Sequence, residues 1–339
     1  MNGTAAFSEF GVHRSIEPVG VLPQEAWRLD NHPRLWPCEA RLDVDVLALD
    51  PAVFRRLRDE MEGHPGKMRA RVLETVAERS KFQDPSTGAA GSLLGRVSEI
   101  GAGHPQGLRV GARVALPSAL GLTPLWLADI AAWDGTSALV PARGHAIVFP
   151  RSPLAGVPRD ADARLALSVI EATAVVTAVG RRLRPGDKVA VLGAAHPAGA
   201  LACVAALARG ASRVLAVVES WQEACLVEAL GAATPTVADL GDPLATATAA
   251  CEGLEGLSDL AVVCRDVKGV ETAGLLSTRP GGTTLFATCS LSCGSLADLA
   301  RSLNCEGELL IAGDQSSDAA EDAFELLTAY PALRAVLDQ

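Results

Sequence analysis

From residue 188 onward, short β-branched runs alternate with alanine-rich or amphipathic segments of helical length, and this alternation limits the chain to very few folds. The runs are KVAVLG (188–193), RVLAVV (213–218), TPTVAD (234–239), LAVVC (260–264), TTLFAT (283–288) and ELLIAG (308–313). Helical segments begin near Pro197, Trp221, Pro243, Gly269 and Ser295. Strands separated by helices pair in parallel through right-handed crossovers. The pattern predicts an α/β fold with a doubly wound parallel sheet of about six strands. The first half differs, with strand candidates at 39–49, 92–101, 109–117 and 145–150 around one helix candidate, AVFRRLRDEM, and it reads as a smaller, mostly β domain. A long helix over 161–183, stopped by Pro185 and Gly186, joins the two. The expected organisation is therefore 1–160, a connecting helix 161–183, and 184–339.

The chain has 339 residues, enough for two cores, and 49% are apolar. A net charge of −10 and the lack of a basic run argue against nucleic acid as a partner. Eight cysteines, mostly inside apolar runs and without paired CxxC spacing, read as reduced, buried thiols, and not as a metal site. The start of the chain has no basic cluster followed by an apolar stretch, so a cytoplasmic location is expected. Val189–Ala208 contains no formal charge over a membrane-spanning length. His196, Pro197 and the nearby glycines interrupt it, so strand, turn and helix is the preferred reading and no membrane is expected.

VLGAAHPAGA (191–200) carries the chemistry of the second half. Dinucleotide turns use glycines to bend sharply, to admit the pyrophosphate and to pack the helix on its strand, while the helix N-terminus offers free N–H groups. Gly193 and Gly199 occupy the first and last of these roles, and Ala195 occupies the middle one. An alanine costs about 1 kcal/mol if its backbone is left-handed, and little otherwise. Pro197 lacks an N–H; if phosphate needed that donor, roughly 1.5–3 kcal/mol is lost, a factor of about ten to a hundred. Proline also suits the first helical position, which leaves Ala198 and Gly199 as the next donors. His196 is expected to cap the helix or to touch phosphate. Glu219, 20 residues beyond Gly199, can accept hydrogen bonds from an adenosine ribose and repel a 2′-phosphate, favouring NAD. The plainer alternative is an ordinary βαβ turn and a solvated glutamate.

GRVSEIGAG with LRVGARV (95–103, 108–114), and LRPGDKVAVLGAA (183–195), resemble the medium-chain dehydrogenase/reductase superfamily. That resemblance implies a GroES-like catalytic domain beside the Rossmann domain, commonly in dimers or tetramers, with a homodimer expected here. Where its zinc enzymes place His-Glu this chain has Gly91 and Ser92, so no metal is expected. Asp266, after LAVVC, lies where the superfamily approaches the nicotinamide ribose. A more specific resemblance covers nearly the whole chain: GVHRSIEPVGVLPQEAWRLDN (11–31), LDVDVLALDPAVF (42–54), KFQDPSTGAAGSLLGRV (81–97), LTPLWLADI (122–130) and PALRAVL are similar to the L-erythro-3,5-diaminohexanoate dehydrogenase family. It implies oxidation of a 3-amino group with NAD, then hydrolysis to 5-amino-3-oxohexanoate and ammonia. The chain departs from the family pattern at GAAHPAG, at Gln83 and Asp84, and at Asp314.

Such chemistry needs a base, because hydride leaves the amine carbon only after the ammonium loses a proton, and it needs groups for a second ammonium and a carboxylate. Arg14 and Lys81 are candidates for the carboxylate, and Glu17, Asp84 and Glu171 for the ammonium groups or the proton. His13 could shuttle protons. Against these stand a Glu17–Lys81 salt bridge pinning the N-terminal segment, a surface role for Arg14, a turn cap at Asp84, a satisfied core carboxylate at Glu171 and a structural His13. Two other functions remain open: a quinone or enone reductase of the same superfamily, and a non-catalytic dimeric scaffold or ligand sensor with a degenerate loop.

Overall fold

The computed structural model describes residues 8–84, 88–105, 107–130, 132–287, 307–311 and 317–337. The chain divides into two compact units, Met1–Leu167 and Ser168–Gln339, the division falling within the helix Ala163–Arg182. The expected helix start near Ser295, Cys289, Cys293, Cys305 and Asp314 lie outside the described residues.

In the N-terminal unit, a 3-10 turn (Val12–Arg14) leads into β1 (Ser15–Glu17), which pairs with β2 (Arg28–Leu29). The main sheet combines β3 (Ala40–Leu49), β4 (Gly91–Ile100), β5 (Arg113–Leu116), β6 (Leu125–Ile130), β7 (Leu139–Val148) and β8 (Ala155–Gly156), in the order β6-β7-β3-β4-β5-β8. Its neighbours are antiparallel. Two helices cover one face. Helix α1 (Pro51–Glu60) starts where the Asp50 side chain accepts from the Ala52 and Val53 amides, with proline at the first position. Helix α2 (Pro65–Arg79) was not expected from the sequence, although Met68, Val72 and Val76 recur at four-residue spacing and bury against the sheet with Val53 and Leu57 of α1.

The C-terminal unit follows the predicted alternation. After α3 (Ala163–Arg182), β9 (Lys188–Leu192), β10 (Arg213–Val218), β11 (Thr234–Val237), β12 (Ser258–Val263), β13 (Thr278–Phe286) and β14 (Gly307–Ile311) form a parallel sheet in the order β11-β10-β9-β12-β13-β14. Helices α4 (Pro197–Ala208), α5 (Trp221–Leu230), α6 (Pro243–Leu254) and α7 (Val270–Ser277) connect the strands, and α8 (Ser317–Ala329) and α9 (Leu333–Leu337) follow. Strand order reverses direction between β9 and β12, so the crevice at their carboxyl ends is the switch point where ligands bind in such sheets. Pro235 sits on the edge strand β11, where a missing N–H breaks no ladder.

The uncharged stretch 189–208 is divided into β9, a turn and α4. Among the described residues one helix, α3, is long and apolar enough to cross a membrane, and most of its apolar window is buried within the protein. Of the described thiols, Cys203 and Cys264 are buried, but Cys225 is exposed at the surface of α5, where the sequence had suggested burial.

Candidate active site

At the switch point, Gly193 follows β9 with φ +82°, in the left-handed region that glycine adopts without strain. A Cβ there would lie 2.6 Å from Arg265 Cβ. Gly199, in the first turn of α4, lets the helix pack on that loop: its Cβ would stand 2.4 Å from the Gly193 carbonyl oxygen and 2.7 Å from Ala194 Cα. Both glycine roles expected from the sequence are thus required by close backbone approach. Ala195 is not among the residues of positive φ, so the missing middle glycine brings no left-handed strain. The Gly193 and Ala194 amides both donate to the Val217 carbonyl, and the His196 amide donates to Gly193. Pro197 is the first residue of α4, and Ala198 and Gly199 then hold the second and third positions, whose amides have no acceptor one turn back within the helix.

His196 is the N-cap residue, yet its side chain makes no cap hydrogen bond, contrary to the expected capping role. The same dipeptide at the start of α2 behaves differently, for there His64 Nδ1 accepts from the Lys67 amide. His196 Nδ1 is buried and without a hydrogen-bond partner. Burial, and then the charge of Arg265, hold this imidazole below its ordinary pKa. A buried, unpartnered imidazole nitrogen beside a helix N-terminus is polar capacity that the protein itself leaves unused. Glu219, just past the end of β10, is exposed and pairs with Arg265 at 3.4 Å; its amide donates to the Glu223 carboxylate. Asp266, just beyond β12, is exposed.

The charged residues of the front motif are committed internally. Arg14 is 1% exposed, and every guanidinium nitrogen is used: on Glu39 at 2.8 and 2.5 Å, on Asp30, and on the carbonyls of Asp30, His32 and Arg34. This corrects both the substrate role and the surface role considered for it, since no donor remains and no surface is reached. His13 is structural by the same geometry, with Nε2 2.9 Å from Glu39 and its ring edge-on to Trp36 and Phe149. Glu39, fully buried, is raised by desolvation, but bonds from Arg14, His13 and the Trp36 amide outweigh this and hold its pKa below the usual carboxylate value. Lys81 is also fully buried, donating to the carbonyls of Pro23 at 2.8 Å and Gln24 at 3.2 Å. Burial, with Arg79 nearby, lowers its pKa to about 7. It does pin the N-terminal segment, through backbone carbonyls and not through Glu17, which is exposed.

Asp84 is buried and paired with Arg56 of α1, while its backbone closes a turn with Gly88 and Ala89. The pair lies in a cleft of about 220 Å³ whose apolar wall includes Val53, Leu57, Val72 and Phe82, and whose polar groups include Glu60, Arg71 and Gln83. That volume is below the ~300–1,000 Å³ of pockets for drug-sized ligands and suits an amino-acid-sized molecule carrying both charges. Glu171, a candidate for the ammonium groups or the proton, is exposed on α3, which excludes the alternative of a core carboxylate. Sequence reasoning missed Glu39, Arg56 and Arg265. Of these only Arg265 had a local signal, a charged residue immediately after a buried parallel strand, where ligand-facing side chains emerge.

Residues 13–158 match the family described as the L-erythro-3,5-diaminohexanoate dehydrogenase N-terminal domain. The L-erythro-3,5-diaminohexanoate dehydrogenase of Acetoanaerobium sticklandii is 30% identical over 98% of both chains. The chain belongs to the L-erythro-3,5-diaminohexanoate dehydrogenase family. The enzyme of that name from Fusobacterium nucleatum is 29% identical, again over 98% of each chain. A solved alcohol dehydrogenase superfamily protein from Novosphingobium aromaticivorans superposes with a TM-score of 0.54 at 20% identity, covering 94% of this chain and 83% of that one. The quinone oxidoreductase from Coxiella burnetii gives 0.55 at 14%, covering 91% and 84%. These likenesses establish the medium-chain dehydrogenase/reductase fold. Membership in the diaminohexanoate dehydrogenase family makes the chain an oxidoreductase and implies a nicotinamide cofactor, and the Gly193–Gly199 cradle with its unpartnered imidazole fits one.

Proposed function

We propose that this protein oxidatively deaminates L-erythro-3,5-diaminohexanoate, or a closely related β-amino acid, with NAD. The observation that carries the reading is similarity to named dehydrogenases of this substrate along 98% of both chains. The balanced reaction takes diamino acid, NAD and water to 5-amino-3-oxohexanoate, NADH, ammonium and one proton. The substrate ammonium first loses that proton; hydride loss from C3 then gives an iminium, and water replaces its nitrogen. The nicotinamide, when bound, supplies the hydride acceptor.

The chain's own residues have distinct tasks in this proposal. Ala198 and Gly199 amides and the His196 imidazole hold the diphosphate, and Glu219 meets the adenosine ribose, which favours NAD over NADP. In the cleft, Arg56 and Arg71 attract the substrate carboxylate, while Asp84 and Glu60 attract ammonium groups and offer a proton acceptor. Zinc is not needed: at the positions where zinc enzymes of the superfamily place His-Glu this chain has Gly91 and Ser92, and the Ser92 hydroxyl accepts from the Ser118 amide at 3.0 Å. Ala195 is not of positive φ, so the alanine in the middle glycine's place is no mark of a degenerate loop. NADH formation with the diamino acid, matched by ammonia release, tests the proposal. Reduction of quinones by NADPH, with no turnover of the diamino acid, would replace it with the reductase reading.

A further inference from the structure

The carboxyl ends of three neighbouring strands finish level with one another. Leu192 of β9 lies in register with Val217 of β10 on one side and Val263 of β12 on the other. Glu219 and Arg265 each stand two residues beyond those partners, and their side chains meet at 3.4 Å. Strands in a sheet are about 4.8 Å apart, so the outer two of these three are separated by roughly 10 Å. An ion pair joining them crosses above the end of β9, where Gly193 turns the chain. The root of the arginine confirms the path, since a Cβ on Gly193 would lie 2.6 Å from Arg265 Cβ. In the free protein the guanidinium therefore lies along the line running from the diphosphate turn to the ribose carboxylate.

The loop beneath is short of donors for a diphosphate. Residues 193–199 include no lysine or arginine, Pro197 has no N–H, and the Gly193 and Ala194 amides are used on Val217. Arg265 brings the missing positive charge from the adjacent strand, and its field reaches His196. The pair it makes is solvent-facing, with the arginine 41% and the glutamate 33% exposed, so it is worth little and is readily exchanged.

We propose that Arg265 is a diphosphate ligand that bars the cofactor crevice in the free protein. When the dinucleotide enters, its guanidinium leaves Glu219 for the diphosphate, and Glu219 is released to the adenosine ribose. This deepens the nicotinamide reading and rests on it. A charge-assisted hydrogen bond to a diphosphate improves affinity by about tenfold to a hundredfold.

The test is equilibrium binding to the full-length protein, by calorimetry, of NADH, NADPH, ADP-ribose, adenosine and inorganic diphosphate, with thermal melting as the check on folding. Arg265→Gln weakens NADH, NADPH and ADP-ribose alike, by about tenfold to a hundredfold, and does not weaken adenosine, which gains slightly because Glu219 is already free. Glu219→Gln tightens inorganic diphosphate, because the competing carboxylate is gone. Arg265→Lys, which keeps the charge but not the planar fork, falls between wild type and Arg265→Gln. Equal NADH affinity in wild type and Arg265→Gln overturns the proposal, and so does a loss confined to NADPH, which would make Arg265 a reader of the 2′-phosphate. Absence of NADH and NADPH binding in the wild type refutes the nicotinamide reading itself, and the role of Arg265 with it.

Discussion

Gly199→Ala offers the sharpest test of the cofactor cradle. Its new Cβ would fall 2.4 Å from the Gly193 oxygen, 2.7 Å from Ala194 Cα and 3.1 Å from the Ala194 carbonyl carbon. All three atoms are backbone, so no rotamer change relieves the contact. Restoring a carbon–oxygen separation of about 3.3 Å requires the first turn of α4 to withdraw by roughly 0.9 Å. The Ala198 and Gly199 amides move with it, and hydrogen bonds of about 2.9 Å to a phosphate would stretch to roughly 3.8 Å, beyond bonding range. Two charge-assisted bonds at about 1.5–3 kcal/mol each amount to roughly 3–6 kcal/mol, or about a hundredfold to ten-thousandfold in Kd. Folding should change much less, since alanine gains up to about 1 kcal/mol over glycine in a helix and offsets part of the strain. NADH fluorescence titration and thermal melting read the two effects separately. A variant that melts like the wild type and binds NADH within about threefold of it would show that this cradle does not hold the nucleotide. Ala195→Gly is the companion control, with an expected change below about twofold, because the backbone at 195 already has negative φ.

Other perturbations test the buried charges. Glu39→Gln leaves Arg14 with only the partly exposed Asp30 carboxylate as an anion and should cost up to about 3–5 kcal/mol in urea unfolding of the N-terminal unit; because the Glu39 pKa is lowered in the fold, this stabilisation is present above the ordinary carboxylate pKa and lost as pH falls through the lowered value, a loss the variant should not show. Lys81 has a folded pKa of about 7 against 10.5 for the free side chain, so between those values the unfolded chain binds more protons and stability rises with pH, by at most about 1.4 kcal/mol per unit. Lys81→Met should remove that slope, and a persisting slope in the variant would reject the assignment. Dinucleotide binding should favour protonation of His196, whose pKa is lowered in the free protein, so affinity should rise as the pH falls toward that lowered value. Calorimetry in buffers of different ionisation enthalpy should register proton uptake that His196→Asn abolishes; identical heats in all buffers would refute it.

The two halves of the chain were legible to different degrees for one reason. Strands of the parallel sheet are buried on both faces, so β9, β10 and β12 read as continuous apolar runs whose ends can be placed within a residue or two. In the N-terminal unit β6 alternates buried and exposed residues around Trp126, and α2 is rich in charge; neither gives so plain a signal. Site chemistry divided in the same way. Gly193, Gly199 and the position of Glu219 followed from local backbone demands, which a short motif records.

The sequence by itself determined the alternation of strand and helix, hence the parallel sheet, its switch point and the turn that bends there, because these depend on periodicity and on residues a few positions apart. Tertiary structure alone decided which charges meet. Arg14 finds Glu39 across 25 residues, Lys81 finds two carbonyls 57 and 58 residues away, and Arg265 reaches Glu219 over the end of an intervening strand. A side chain's partner is set by which elements end level and adjacent in space, and the pairing energy of a charge depends on that distance and on burial, neither of which is written in the spacing along the chain.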